Sequence, residues 1–115
     1  MTDPVELRKI ISSRLAIARQ NSGLSQAQVA KQINIPRPSI TEIEAGRRRV
    51  SVEEMVQFAD LYHVDLNWLS GQDADQVDPV RDKLQLAARH VANLKSEDLE
   101  KVIDLLISLR VKDTK

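Results

Sequence analysis

Apolar residues recur at helical spacing from one end of this chain to the other, and few strand-favouring aromatics and only three Gly also argue for an all-helical fold. Leu7, Ile11, Leu15 and Ala18 fall on one face, with Ile10 and Ile17 beside it. Asp3 before Pro4, with Glu6 three positions on, predicts the start of this first helix, and Gly23 predicts its stop. Ser25 caps a second helix whose inner residues are Val29, Ala30 and Ile33. Asn34 ends it at a position that favours left-handed backbone, and Ile35 plugs the turn. A third helix starts around Pro36 or Arg37, because proline is harmless in a first turn, and Gly46 ends it. Ile40 and Ile43 point inward from it; Arg37, Pro38, Thr41 and Glu42 share the opposite face.

Further on, Ser51 and Glu54 form a capping box for a fourth helix, buried through Met55, Phe58, Ala59 and Tyr62 or Leu61. Asp65 caps a short fifth helix in which Leu66, Trp68 and Leu69 pack onto the core, and Gly71 closes it. The polar, acidic stretch 72–78 reads as a linker. Asp78 and Pro79 open a sixth helix with Val80, Leu84, Ala87, Ala88, Val91 and Leu94 on its apolar side. Ser96 caps the last, with Glu97, Asp98 and Glu100 at its positive end. Leu99, Val102, Ile103, Leu105, Leu106, Ile107, Leu109 and Val111 cover most of its circumference, which predicts burial. Two helices on a small domain offer little cover, so a second copy of the chain is the natural partner.

The fold class that follows is all-α: a five-helix domain over 1–71, a linker over 72–78 and two C-terminal helices over 79–115 that supply a dimer contact. With 3% aromatic residues, aliphatic side chains must build the core. Lack of cysteine excludes disulfides and thiolate metal sites. No apolar run approaches a membrane span and no signal-like segment opens the chain, so a soluble cytoplasmic protein is expected.

The second and third helices with their tight turn have the form of a helix-turn-helix, whose second helix enters the DNA major groove. Net charge is zero, but its distribution is polar. Arg8 to Arg49 holds nine Lys or Arg against two acids, whereas Val50 to Ser70 holds four acids and no Lys or Arg. A cationic end that coincides with the two-helix pattern favours nucleic acid. His63 and His90 lack a second ligand at useful spacing, so no metal is expected. Neither a nucleophile motif nor a glycine-rich phosphate loop occurs, so the residues point to no enzyme and no cofactor. Trp68 reads as a core anchor.

Residues 11–69 resemble the Cro/CI-type, or xenobiotic-response-element (XRE), helix-turn-helix family. The resemblance rests on Ser25-Gln26, Ala30, Ile40, Glu44-Ala45-Gly46-Arg47, Ser51 and Asp65-Leu66-Asn67-Trp68-Leu69. It implies a lambda-repressor-like DNA-binding domain, found in bacterial, plasmid or phage regulators that bind operators as dimers, and hence a nucleoid-associated protein. By matching position, Gln26 implies a phosphate contact, Arg37, Pro38, Thr41 and Glu42 imply groove-facing residues, and Arg19 and Glu44 imply a partly buried ion pair. An unpaired Glu44 beside inward-facing Ile43 would be costly. The chain departs from the family where Pro36 replaces the usual Ser or Thr cap, and where Pro38 replaces a side chain able to hydrogen-bond a base.

Arg37 matches guanine O6 and N7, or else holds a phosphate. Glu42 accepts from cytosine N4, pairs with Arg37, or faces solvent. Thr41 touches a base or a phosphate. Ser39, Arg47, Arg48 and Arg49 are assigned to phosphates. Leu99, Val102, Ile103, Leu106, Ile107 and Leu109 are assigned to the dimer contact. The function expected is a dimeric, sequence-specific repressor at a pseudo-palindromic operator, with a partner metallopeptidase able to inactivate it by cutting the C-terminal region. The alternative is an antitoxin whose C-terminal helices bind a toxin.

Overall fold

A computed structural model describes residues 3–113. Seven helices follow in order and no strand occurs among the described residues: α1 (Pro4–Asn21), α2 (Gln26–Ile33), α3 (Arg37–Glu44), α4 (Val52–Tyr62), α5 (Leu66–Leu69), α6 (Pro79–Ala92) and α7 (Ser96–Asp113). The all-helical class read from periodicity is the class observed. The chain divides into two compact units between Lys83 and Leu84, within α6.

The N-terminal unit has a single core built from Leu15 and Ala18 of α1, Val29, Ala30 and Ile33 of α2, Ile40 and Ile43 of α3, Met55, Phe58, Ala59 and Tyr62 of α4, and Leu69. Local chemistry sets each helix end. Asp3 accepts from the backbone N–H groups of Val5 at 2.7 Å and Glu6 at 3.4 Å. Ser25 with Gln28, and Ser51 with Glu54, form reciprocal capping boxes that satisfy otherwise orphaned donors. Asn34 closes α2 at φ 57°, left-handed as its residue type allows, and the Ile35 N–H returns to the Ala30 carbonyl at 3.0 Å. Gly71 closes α5 at φ 73°, where an added Cβ would come within 2.9 Å of Ile10.

Several expectations about packing are corrected. The buried arc of α1 includes Ile10 and Ile17, together with Ser12 and Arg14, whereas Leu7 and Ile11 are half-buried. Leu66 is exposed and only Leu69 of α5 is fully buried; Asp65 makes no side-chain cap bond to that helix. Ser96 is the first residue of α7, not its cap. On α6 the buried residues are Asp82 and Leu86, while Val80 and Leu84 are exposed.

Arg14 accounts for the burial of Asp82. It is 2% exposed, and it donates to the Trp68 carbonyl and to both oxygens of Asp73, at 2.7 and 3.3 Å. It also lies 3.3 Å from the Asp82 carboxylate, and its guanidinium stacks over the Trp68 ring at 4.9 Å. Burial outweighs the attraction of Arg14 at Asp82 and pushes that carboxyl above its ordinary range. At half-exposed Asp73 the hydrogen bonds from Arg14 win and hold the carboxyl below it. Asp73 belongs to the stretch expected to be a linker, so that stretch is fastened to α1.

The apolar girdle of α7 is exposed rather than buried. Ile103, Leu105, Leu106, Ile107 and Leu109 are between 45% and 61% exposed. The side chain of Val111 lies outside the described residues. No helix among the described residues is long and apolar enough to cross a membrane.

Candidate nucleic-acid interface

The geometry of α2 and α3 follows from their inward residues. Ile40 and Ile43 are completely buried and fix the rotation of α3 about its axis. That rotation leaves Arg37, Pro38 and Thr41 exposed on the outer side, with Ser39 half-buried and Glu42 at the margin. Pro36 occupies the N-cap position with φ −62° and offers no capping side chain. The first turn of α3 holds no acid, so the positive end of its dipole favours an anion from outside the chain, although Pro38 has no N–H and the Ser39 N–H is taken by the Pro36 carbonyl at 2.9 Å.

Behind this face lies an internal polar network. Arg19 donates to both oxygens of Glu44, at 2.8 and 3.0 Å, and to the Leu24 carbonyl at 2.9 Å. The Glu44 side chain is 8% exposed, so this pair ties α1 to the end of α3 in a largely water-free setting. Hydrogen bonding to Glu44 raises the already high pKa of Arg19. Gln26 donates to Glu44 at 3.1 Å, and the Thr41 hydroxyl donates to Gln26 at 2.8 Å. Gln26, Thr41, Glu44 and Arg19 therefore form one chain of bonds from the outer face inward. Spacing alone could not have placed Gln26 against Thr41, because their contact depends on how two helices cross.

The arginine run is divided in its roles. Arg47 forms an exposed bidentate pair with Glu42, at 2.7 and 3.1 Å, which lowers the Glu42 pKa. Glu42 thus engages Arg47 and not Arg37. Arg48 donates to both oxygens of Glu54, at 3.0 and 2.9 Å, and to the Arg49 carbonyl. Glu54 in turn accepts from the Ser51 N–H, and its pKa is lowered mainly by Arg48. Arg48 is consequently built into the capping box of α4. Arg37 and Arg49 stand exposed with no acid paired to them among the described residues. No group of side chains suited to holding a metal ion occurs among the described residues.

Of the six residues assigned to a dimer contact, Leu99 and Val102 are half-buried, while Ile103, Leu106, Ile107 and Leu109 are exposed.

Two short helices joined by a tight left-handed turn, with an exposed polar face on the second, define a helix-turn-helix. A family profile described as a helix-turn-helix domain matches residues 10–68. The chain is 29% identical over 63 residues to the HTH-type transcriptional regulator ImmR of Bacillus subtilis, covering 55% of this chain and 50% of that protein. It thus spans about half the length of that curated relative. In fold it is similar to a hypothetical transcription factor, NHTF, from Neisseria, with a TM-score of 0.55 at 22% identity, covering 75% of this chain and 91% of the other. It is also similar to the clp gene regulator ClgR of Corynebacterium glutamicum, with a TM-score of 0.53 at 19% identity over 86% and 92% of the two chains. The chain belongs to the helix-turn-helix family, of the Cro/CI or XRE type.

Proposed function

We propose that this protein is a sequence-specific DNA-binding transcriptional regulator that acts as a homodimer and represses its own or a neighbouring operon. One observation carries the reading: α3 buries Ile40 and Ile43 and turns Arg37, Pro38 and Thr41 outward on one exposed surface. Arg37, whose backbone is flanked by two prolines, supplies a fork that fits guanine O6 and N7. Pro38 supplies an apolar contact suited to a thymine methyl. Gln26, Ser39, Arg47 and Arg49 border this face and supply phosphate contacts, which hold register without reading sequence. Arg48 reaches a phosphate only with the part of its guanidinium that Glu54 leaves open.

The exposed apolar residues of α7 fit a second copy of the chain. A two-fold dimer brings two α3 helices to half-sites one helical turn, roughly 34–36 Å, apart. A regulatory peptidase that cleaves α7, or a toxin that covers it, is the competing use of the same residues.

Selection of bound duplexes from a random pool tests the reading. A pseudo-palindrome is expected, and selection of no sequence would refute it. Replacing Ile103 and Leu106 with Asp should yield a monomer by sedimentation and weaken operator binding. A chain that is monomeric before substitution refutes the dimer and leaves the peptidase and toxin readings in its place.

A further inference from the structure

We propose that Thr41 reads its base only as an acceptor, selecting a base whose major-groove edge offers an exocyclic amino group, adenine N6 or cytosine N4. The proposal rests on α3 facing the groove, as set out above, and goes further by fixing the polarity of one contact.

The chain of reasoning starts at Glu44. A carboxylate accepts hydrogen bonds and cannot donate them. Arg19 holds it with two bonds, at 2.8 and 3.0 Å, so its oxygens are fixed in place. The Gln26 amide must turn its Nε2 toward this carboxylate, and it does so at 3.1 Å. The other end of the amide, Oε1, is thereby aimed at Thr41, whose Oγ1 lies 2.8 Å away. A carbonyl oxygen only accepts, so the Thr41 hydroxyl must donate. The second protein atom near that hydroxyl is the Arg37 carbonyl oxygen at 3.4 Å, which is again an acceptor. The single hydroxyl proton of Thr41 therefore remains inside the protein with either partner.

What Thr41 presents outward is a lone pair and a methyl group. Guanine offers O6 and N7 on its major-groove edge and thymine offers O4; all three are acceptors and would face a lone pair with a lone pair. Adenine and cytosine each offer an amino donor there. Gln26 is then a positioning residue for specificity: it sets the direction of the Thr41 bond without touching the base.

The experiment uses the full chain and the duplex pool already described. Comparing the sequences selected by the wild-type protein and by Thr41→Val identifies the position governed by residue 41. Adenine or cytosine should dominate there in the wild-type selection. Replacing that base with purine or pyrimidin-2-one, which lack the amino group, should weaken wild-type binding about tenfold, the discrimination expected of one lost base contact. The same analogue at a position outside the site serves as control, and Thr41→Val should not respond to it. Gln26→Leu leaves the hydroxyl proton only the longer bond to the Arg37 carbonyl at 3.4 Å, and should narrow the preference for adenine or cytosine over guanine or thymine at this position. Gln26→Ala repeats the measurement with a smaller side chain, and circular dichroism checks that each variant is folded.

A wild-type preference for guanine or thymine at this position, no penalty for removing the amino group, unchanged discrimination in both Gln26 variants, or no position that responds to residue 41 would each overturn the proposal while leaving α3 as the reading helix. A wild-type protein that selects no sequence would overturn both.

Discussion

Arg14→Met is the substitution whose consequence can be worked out most fully. Methionine keeps much of the volume and apolar contact but removes the charge and every donor. The Trp68 carbonyl loses a buried donor, which costs about 1–3 kcal/mol. Stacking over the Trp68 ring adds about 0.5–1 kcal/mol. Asp82 is left as a buried carboxylate without a cation, and breaking a buried pair in this way costs about 3–5 kcal/mol unless the acid protonates. Because these effects share one site they do not add, and the net loss should be about 3–5 kcal/mol. At about 4 °C per kcal/mol for a domain of this size, the melting temperature should fall about 12–20 °C.

The pH dependence carries a sign that can be checked. Asp82 has a raised folded-state pKa, so its contribution is most favourable in acid and is lost as pH rises above its ordinary value of 3.8. Removing Arg14 raises that pKa further. Asp73 has a lowered pKa, so the stability that Arg14 gives it is present above 3.8 and is lost as pH falls. Both effects make the deficit of Arg14→Met largest near neutrality and smaller near pH 3. Adding Asp82→Asn to Arg14→Met should recover part of the loss at pH 7. Thermal and urea unfolding at the two pH values measure all of this. A loss below about 1 kcal/mol, or a deficit that does not change with pH, would refute the account of this buried cluster.

Other perturbations are equally direct. Gly71→Ala forces a Cβ into Ile10 at a positive φ and should destabilise by about 2–4 kcal/mol in urea unfolding. Tyr62 buries a hydroxyl that has no hydrogen-bond partner among the described residues, so Tyr62→Phe should leave stability unchanged or raise it by about 1 kcal/mol, and a clear loss would contradict this. Glu54 has a pKa lowered by Arg48, so their pairing stabilises above 4.5 and the benefit disappears as pH falls through the folded value. Arg48→Ala should therefore cost about 0.5–1 kcal/mol at pH 7 and little at pH 3, read as a gap between two melting curves. In DNA binding, Arg49→Ala should weaken all duplexes alike and flatten the salt slope, whereas Arg37→Ala should relax sequence preference. Uniform losses for both variants would refute that division of roles.

Helix number and class were legible in the sequence because caps and apolar spacing are local signals. Ser25, Asn34, Gly46 and Ser51 each mark a helix end through their own backbone or side-chain chemistry. Burial of individual residues was less legible, because it depends on what an element meets. Arg14 reads as a solvent residue until Asp73 and Asp82 come around it. Leu86 is buried on α6 although the apolar spacing that singled out Val80 and Leu84 passed it by. The composition of the α7 girdle predicts cover, yet composition does not say which molecule provides it. In the candidate interface, the outer face of α3 followed from the spacing of Ile40 and Ile43. The pairings of Glu42 with Arg47, Arg48 with Glu54 and Gln26 with Thr41 did not, because each joins side chains that only the folded backbone brings together.

Pro36 and Pro38 carry a thermodynamic consequence of their own. Each ring restricts φ whether or not the chain is folded, so the entrance to α3 has few shapes to choose among from the outset. Arg37 sits between them on backbone that is nearly set before any encounter with a duplex. Docking at that point surrenders little chain freedom, and a complex formed there should bind with a smaller entropic penalty than one in which the same arginine enters from a pliant loop.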